Sequence, residues 1–157
     1  MSLREFCTRP IVTITPEHTI LDACRLLREH NIGCLLVTER DGRLSGVLTD
    51  RDIALRVTGE GRDPQLATVQ ESMTPNPVRI PVDQSLHELT TLMHSQRVRR
   101  IPIIDREGKP IGIATLDDLL VLLGEEMSEI GKTVSEAFFR KPVTAGAWDY
   151  HWWATYT

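Results

Sequence analysis

The sequence lacks most of the features that would assign it a class outright. It has three cysteines, Cys7, Cys24 and Cys34, with no Cys-x-x-Cys pair. An odd number without paired spacing supports neither a disulfide framework nor a structural zinc motif. Cys24 and Cys34 fall inside apolar patterns and read as buried, reduced thiols. No apolar run reaches the roughly 18 residues of a membrane span, and the stretch Met1–Phe6 has no apolar core of a signal peptide. These absences predict a cytoplasmic chain with no membrane partner. Basic charge is also scarce: 18 Lys and Arg stand against 22 Asp and Glu, a formal net charge of −4. That disfavours a nucleic-acid partner, which requires a basic face. Apart from Phe6, every Phe, Tyr and Trp lies at or beyond position 138. There is no Walker loop, no Gly-x-Ser-x-Gly and no cysteine–histidine signature, so no catalytic residue is expected. His87 and His94 share a helix face but have no third group at ligand spacing, so no metal site is expected.

What the chain does contain is a repeat of itself. Ile14 aligns with Ile80, Leu26 with Leu92, Arg40 with Arg106, Gly42 with Gly108, Gly46 with Gly112, Thr49 with Thr115 and Asp52 with Asp118. No gap is needed from Ile14–Ile53 against Ile80–Leu119. Each copy reads as strand, helix, strand, strand, helix over about 50 residues, too few to bury a core of its own. The first strands are expected at Ile11–Ile14 and Val78–Val82. Thr19 with Asp22, and Ser85 with Glu88, form capping-box patterns that open helices. The paired strands are expected at Gly33–Thr38 with Leu44–Leu48, and at Arg100–Ile104 with Pro110–Ala114. Asp41-Gly42 and Glu107-Gly108 supply the hairpin turns. A linker, Thr58–Thr68, carries Gly59, Gly61 and Pro64 as loop signals.

The densest local signal closes each copy: Gly46-Val47-Leu48-Thr49-Asp50-Arg51-Asp52-Ile53, and Gly112-Ile113-Ala114-Thr115-Leu116-Asp117-Asp118-Leu119. The shared form is Gly-apolar-x-Thr-x-x-Asp-apolar at a strand-to-helix junction. Thr-x-x-Asp is on its own a helix start, a threonine N-cap with an acid favoured by the helix dipole. The same groups suit a nucleoside phosphate. First-turn amides attract an anion, and a carboxylate can accept hydrogen bonds from a ribose diol.

Both copies resemble motifs of the cystathionine-β-synthase (CBS) domain family, over about Cys7–Leu123. The resemblance implies an α/β (α+β) fold of two tandem β-α-β-β-α repeats related by pseudo-twofold symmetry. The first would span residues 6–62 and the second 72–124, followed by a helical extension and tail over 125–157. It also implies a regulatory, energy-sensing module with no required cofactor that binds AMP, ADP, ATP or a related adenosyl ligand between the repeats, commonly as a homodimer. Carried over by position, Asp52 and Asp118 would hold ribose hydroxyls, with Thr49 and Thr115 facing ribose or phosphate. Ile11, Thr13, Val78 and Ile80 would frame the base, with Gly33, Cys34, Leu35, Arg99, Arg100 and Ile101. Arg51 stands where the family often places a phosphate-facing cation, whereas the matching Asp117 would repel phosphate unless Arg99 and Arg100 compensate. The first cleft is therefore expected to suit a charged nucleotide better than the second.

Beyond the motifs, Leu119–Phe139 continues at helical spacing through Leu123, Met127, Ile130 and Val134. Pro142 and Gly146 then precede an aromatic stretch, Trp148–Tyr156. That tail reads either as packing on the module or as a docking segment for a protein partner. With no catalytic or transporter segment recognisable, signalling is expected to act in trans. The competing reading is a structural, protein-interaction dimer of stress-response type with no nucleotide.

Overall fold

In the computed structural model of the chain, residues 3–7 and 10–138 are described. The order is a 3-10 turn (Leu3–Cys7), β1 (Thr13–Ile14), α1 (Ile20–His30), β2 (Cys34–Thr38), β3 (Leu44–Thr49) and α2 (Asp50–Ile53) running into a π-helical turn (Ala54–Thr58). Then follow α3 (Val69–Ser72), β4 (Thr74–Pro75), β5 (Ile80–Pro81), α4 (Leu86–Gln96), β6 (Arg100–Ile104), β7 (Pro110–Thr115) and α5 (Leu116–Phe138). The α/β class and the tandem β-α-β-β-α organisation are as expected. One sheet has the order β1-β2-β3-β4, the other β5-β6-β7.

The two copies match down to register. β1 runs parallel to β2 with Ile14 opposite Val37, and β5 parallel to β6 with Ile80 opposite Ile103. Cys34 faces Thr49, and Arg100 faces Thr115. Each hairpin slips register at the same place, between Val37 and Thr38 and between Ile103 and Ile104. Gly42 (φ 84°) and Gly108 (φ 82°) take the left-handed conformation that their turns require. A Cβ on Gly42 would meet Lys109, and one on Gly108 would reach Arg43. Those two contacts exchange under the repeat, so the hairpins cross on a pseudo-twofold axis. Leu44 N–H donates to Gly108 O there, at 3.1 Å.

All the capping boxes form. Thr19 with Asp22, Thr68 with Glu71, and Ser85 with Glu88 cap α1, α3 and α4. The Thr19 hydroxyl holds the Asp22 carboxyl below its ordinary range, and the Thr68 and Ser85 backbone N–H groups do the same for Glu71 and Glu88. A carboxyl depressed in the folded state adds stability above its unfolded pKa and loses it as pH falls. Melting temperature is therefore expected to fall below about pH 4.5, and Glu88→Gln, which removes one of these titrating carboxyls, to flatten that fall. Thermal melts from pH 3 to 7 check both.

Several features depart from the pattern read along the chain. β1 and β5 are shorter than expected: regular pairing is confined to Thr13–Ile14 and Ile80–Pro81, while Val12 O and Val82 N–H each add one hydrogen bond to the neighbouring strand. The linker Thr58–Thr68 is more than a loop. Ala67 O and Pro64 O accept from Ile20 and Leu21 N–H, both at 2.9 Å, supplying first-turn amides of α1 with partners. Ala67 itself joins the core formed by Ile20, Ala23 and Leu27 against Leu35, Val37 and Leu48. The repeat also extends further toward the N-terminus than its sequence trace. Leu3 and Val69 occupy matching positions and are both fully buried, while Cys7 lies over Gly112 as Met73 lies over Gly46.

The chain up to Leu119 forms one compact unit, and the stretch from Leu120 another. Among the described residues no helix is long and apolar enough to cross a membrane. Pro142, Gly146 and Trp148–Tyr156 lie outside the described residues, as does Phe139.

Candidate functional site

β3 ends at Thr49, and its hydroxyl accepts the Asp52 N–H at 3.2 Å. In return Asp52 Oδ2 accepts both the Thr49 N–H (2.9 Å) and the Thr49 hydroxyl (2.7 Å). Asp52 Oδ1 lies 3.3 Å from Arg56 Nη2, and the Asp52 side chain is 16% exposed. Arg56 is in turn fixed by Ser72 O and Met73 O, each 2.9 Å from Nη1, and by Thr74 Oγ1. A carboxylate offers about four lone-pair positions. Three are taken, so one remains on Oδ1 for a ligand hydroxyl. A diol donating two bonds must share Thr49 or displace Arg56. Arg56 had no place in the expected site. Its position four residues after Asp52 was the available signal, the spacing of a helical ion pair.

The second junction is built alike but equipped differently. Thr115 Oγ1 donates to Asp118 Oδ2 at 2.6 Å, and Asp118 N–H to Thr115 Oγ1 at 3.1 Å. Leu122 occupies the place of Arg56. Asp117 and Arg99 approach to 3.6 Å with both side chains largely exposed, a pairing of small energy. The acid at the second cleft thus has a cation beside it. At the first junction Arg51 is exposed, and its side chain makes no ion pair among the described residues. Asp50 is exposed below Gly33, where a Cβ would lie 3.2 Å from Asp50 Oδ2.

The positions expected to frame a base divide into two groups. Leu35, Ile80 and Ile101 are core side chains, so around them only main chain is left to meet a ligand. Ile11, Gly33, Cys34 and Val78 are half-buried, while Thr13, Arg99 and Arg100 are exposed. Cys34 lies close enough to Arg100, Asp52 and Asp50 to feel their charges. Cys34 and Arg100 are matching residues, so the second repeat presents a guanidinium to the junction of the first. Burial pushes the Cys34 thiol up to about 11, with Arg100 acting against it and the two aspartates adding to it. Iodoacetamide is therefore expected to modify Cys34 slowly at pH 8 and faster only as pH climbs toward 11. Arg100→Ala should slow it further, as mass spectrometry of the alkylated peptide would show. A separate open depression of about 530 Å³, lined by His94, Ser95, Arg97 and Arg99 among others, lies at the end of α4. No group of three or more His, Cys, Asp or Glu among the described residues is placed to hold a metal ion.

Two equivalent Thr-x-x-Asp junctions on a pseudo-twofold pair of β-α-β-β-α repeats agree with comparison to known families. The CBS domain profile matches residues 3–59 and 67–125. The chain belongs to the CBS domain family. The CBS domain-containing protein YhcV of Bacillus subtilis is 41% identical over 120 residues, covering 76% of this chain and 84% of that one. Hypoxic response protein 1 of Mycobacterium tuberculosis is 38% identical over 109 residues, covering 69% and 76%. The crystal structure of Hypoxic Response Protein I, solved with two coordinated zinc ions, superposes with a TM-score of 0.68 at 31% identity, covering 76% of this chain and 97% of that one. The CBS domain pair of protein MJ0100, solved in complex with 5′-methylthioadenosine and S-adenosyl-L-methionine, superposes with a TM-score of 0.71 at 25% identity, covering 80% and 98%.

Proposed function

We propose that this CBS pair is a non-catalytic sensor that binds an adenine nucleotide of the AMP, ADP or ATP class, or a related adenosyl ligand, and signals to a partner protein as a homodimer. The observation that carries the reading is the first junction. A half-buried carboxylate, Asp52, keeps an acceptor position for a ribose hydroxyl, while Arg51 and Arg100 offer cations for phosphate. The adenosyl ligands in the solved MJ0100 pair support the ligand class. The second cleft, with Asp117 set against Arg99, suits a less anionic adenosyl ligand. Binding favours one orientation of the repeats and so changes the surface shown to the partner. Calorimetric titration with AMP, ADP, ATP, NADH and S-adenosylmethionine tests it, and silence from all of them at millimolar concentration would falsify the sensor.

A second reading has its own support. Thr49 and Arg56 already occupy most of Asp52, as they would in a purely structural cap. A structural dimer of that kind would melt at the same temperature with and without ATP, whereas a ligand selective for the folded state raises the midpoint.

A further inference from the structure

The helix α5 exposes Leu120, Leu123, Met127, Ile130 and Val134, with relative exposures from 49 to 67%. Their spacing alternates three and four, the a/d pattern of a coiled coil. It runs past residue 125, where the family match ends. A second stripe adjoins it on the helix, Gly124, Ser128, Gly131 and Ser135. Nothing lies within 4 Å of a Cβ at Gly124 or Gly131. Two glycines inside a helix weaken it, and the usual return for that is close approach by a second helix. One chain therefore presents an apolar ridge beside a groove of small residues, and that pair of surfaces is complementary to itself.

We propose that α5 is an interface between two copies of this chain, paired antiparallel. In that arrangement the a and d positions of opposite copies share layers, so Leu123 lies against Val134 of the partner subunit and Met127 against the partner's Ile130. Gly124 then meets the partner's Gly131 on one flank, which lets the helices close. A parallel pair would set Gly131 against the partner's Glu126 and Gly124 against the partner's Leu119 instead. The helix dipole agrees with the antiparallel choice. An antiparallel pair sets opposite helix dipoles side by side, whereas a parallel pair aligns them. The ridge and the adjacent Val121 leave on the order of 600 Å² of apolar surface per copy, hence on the order of 1,200 Å² for a pair, the lower range of stable interfaces. A patch that large is rarely left open on a monomer.

The inference rests on the homodimer of the proposed function but not on its ligand. Light scattering after gel filtration of the full chain at about 100 µM (a concentration that populates micromolar dimers) should give a dimer. Leu123→Glu and Ile130→Glu should give monomers with unchanged circular dichroism. Mixing Leu123→Cys with Val134→Cys chains should produce a disulfide-linked pair above the wild-type background that neither yields alone. A monomeric wild type overturns both this interface and the homodimer, and assigns the face to residues beyond 138 or to a different protein. Variants that stay dimeric overturn the α5 interface alone, and self-linking of Leu123→Cys chains overturns the antiparallel pairing. Nucleotide titration is unaffected by any of these results, so the ligand reading stands or falls separately.

Discussion

Asp52→Ala is expected to weaken AMP or ATP binding at the first cleft by about one to two orders of magnitude, the loss of a charged hydrogen bond to ribose. Asp118→Ala should remove the second cleft and leave the first. The substitution at Asp52 has a second consequence, because its carboxylate also accepts from the Thr49 N–H and hydroxyl and pairs with Arg56. The cap alone contributes about 1 kcal/mol. Asp52→Asn separates the two roles. Its amide oxygen can still accept at the cap, but it brings no charge, and the amide nitrogen faces Arg56 unfavourably. Calorimetry on both variants, at temperatures where melts show them folded, gives the answer. Unchanged affinity in both would mean that ribose is held elsewhere.

Gly112→Ala is expected to cost about 2–3 kcal/mol, while Gly46→Ala costs less than about 1 kcal/mol, although the two glycines occupy matching strand positions. The difference lies in what covers each. A Cβ at Gly112 would lie 2.8 Å from Cys7 Sγ and 3.1 Å from both Cys7 Cα and Phe6 O. Backbone that close cannot rotate away, so the Leu3–Cys7 turn must lift, uncovering the buried Leu3 and Phe6. At Gly46 the neighbour is the side chain of Met73, which has other rotamers. Urea denaturation measures the cost. Faster maleimide labelling of Cys7 in Gly112→Ala would show that the turn has been released. Equal costs for the two variants would mean that Gly112 does not serve to seat the N-terminal turn.

Much of this structure is legible along the chain because its signals are local. A capping box spans four residues, so Thr19–Asp22, Ser85–Glu88 and Thr49–Asp52 could be read directly, and each forms. The hairpin glycines announce positive φ by their place in a turn. The strand pairs β2–β3 and β6–β7 follow from apolar runs on either side of those turns. The paired Thr-x-x-Asp junctions identified the family for the same reason. The first strands were expected too long because an apolar run does not mark where pairing with the neighbouring strand stops.

The sequence by itself determined the repeat, the class of each element and the places where helices begin, since those depend on neighbours within a few positions. Only the tertiary structure decided which groups share a site. Arg56 reaches Asp52 and the carbonyls of Ser72 and Met73 because α2 and its π-helical turn are folded against the end of the linker. Arg100 lies near enough to Cys34 for its charge to act on the thiol because the two repeats bring matching strand ends to the same region. Leu3 and Cys7 pack on β7 across more than half the chain. Such contacts join residues far apart in sequence, and no periodicity or spacing records them. They form because small repeats can bury a core only by sharing it.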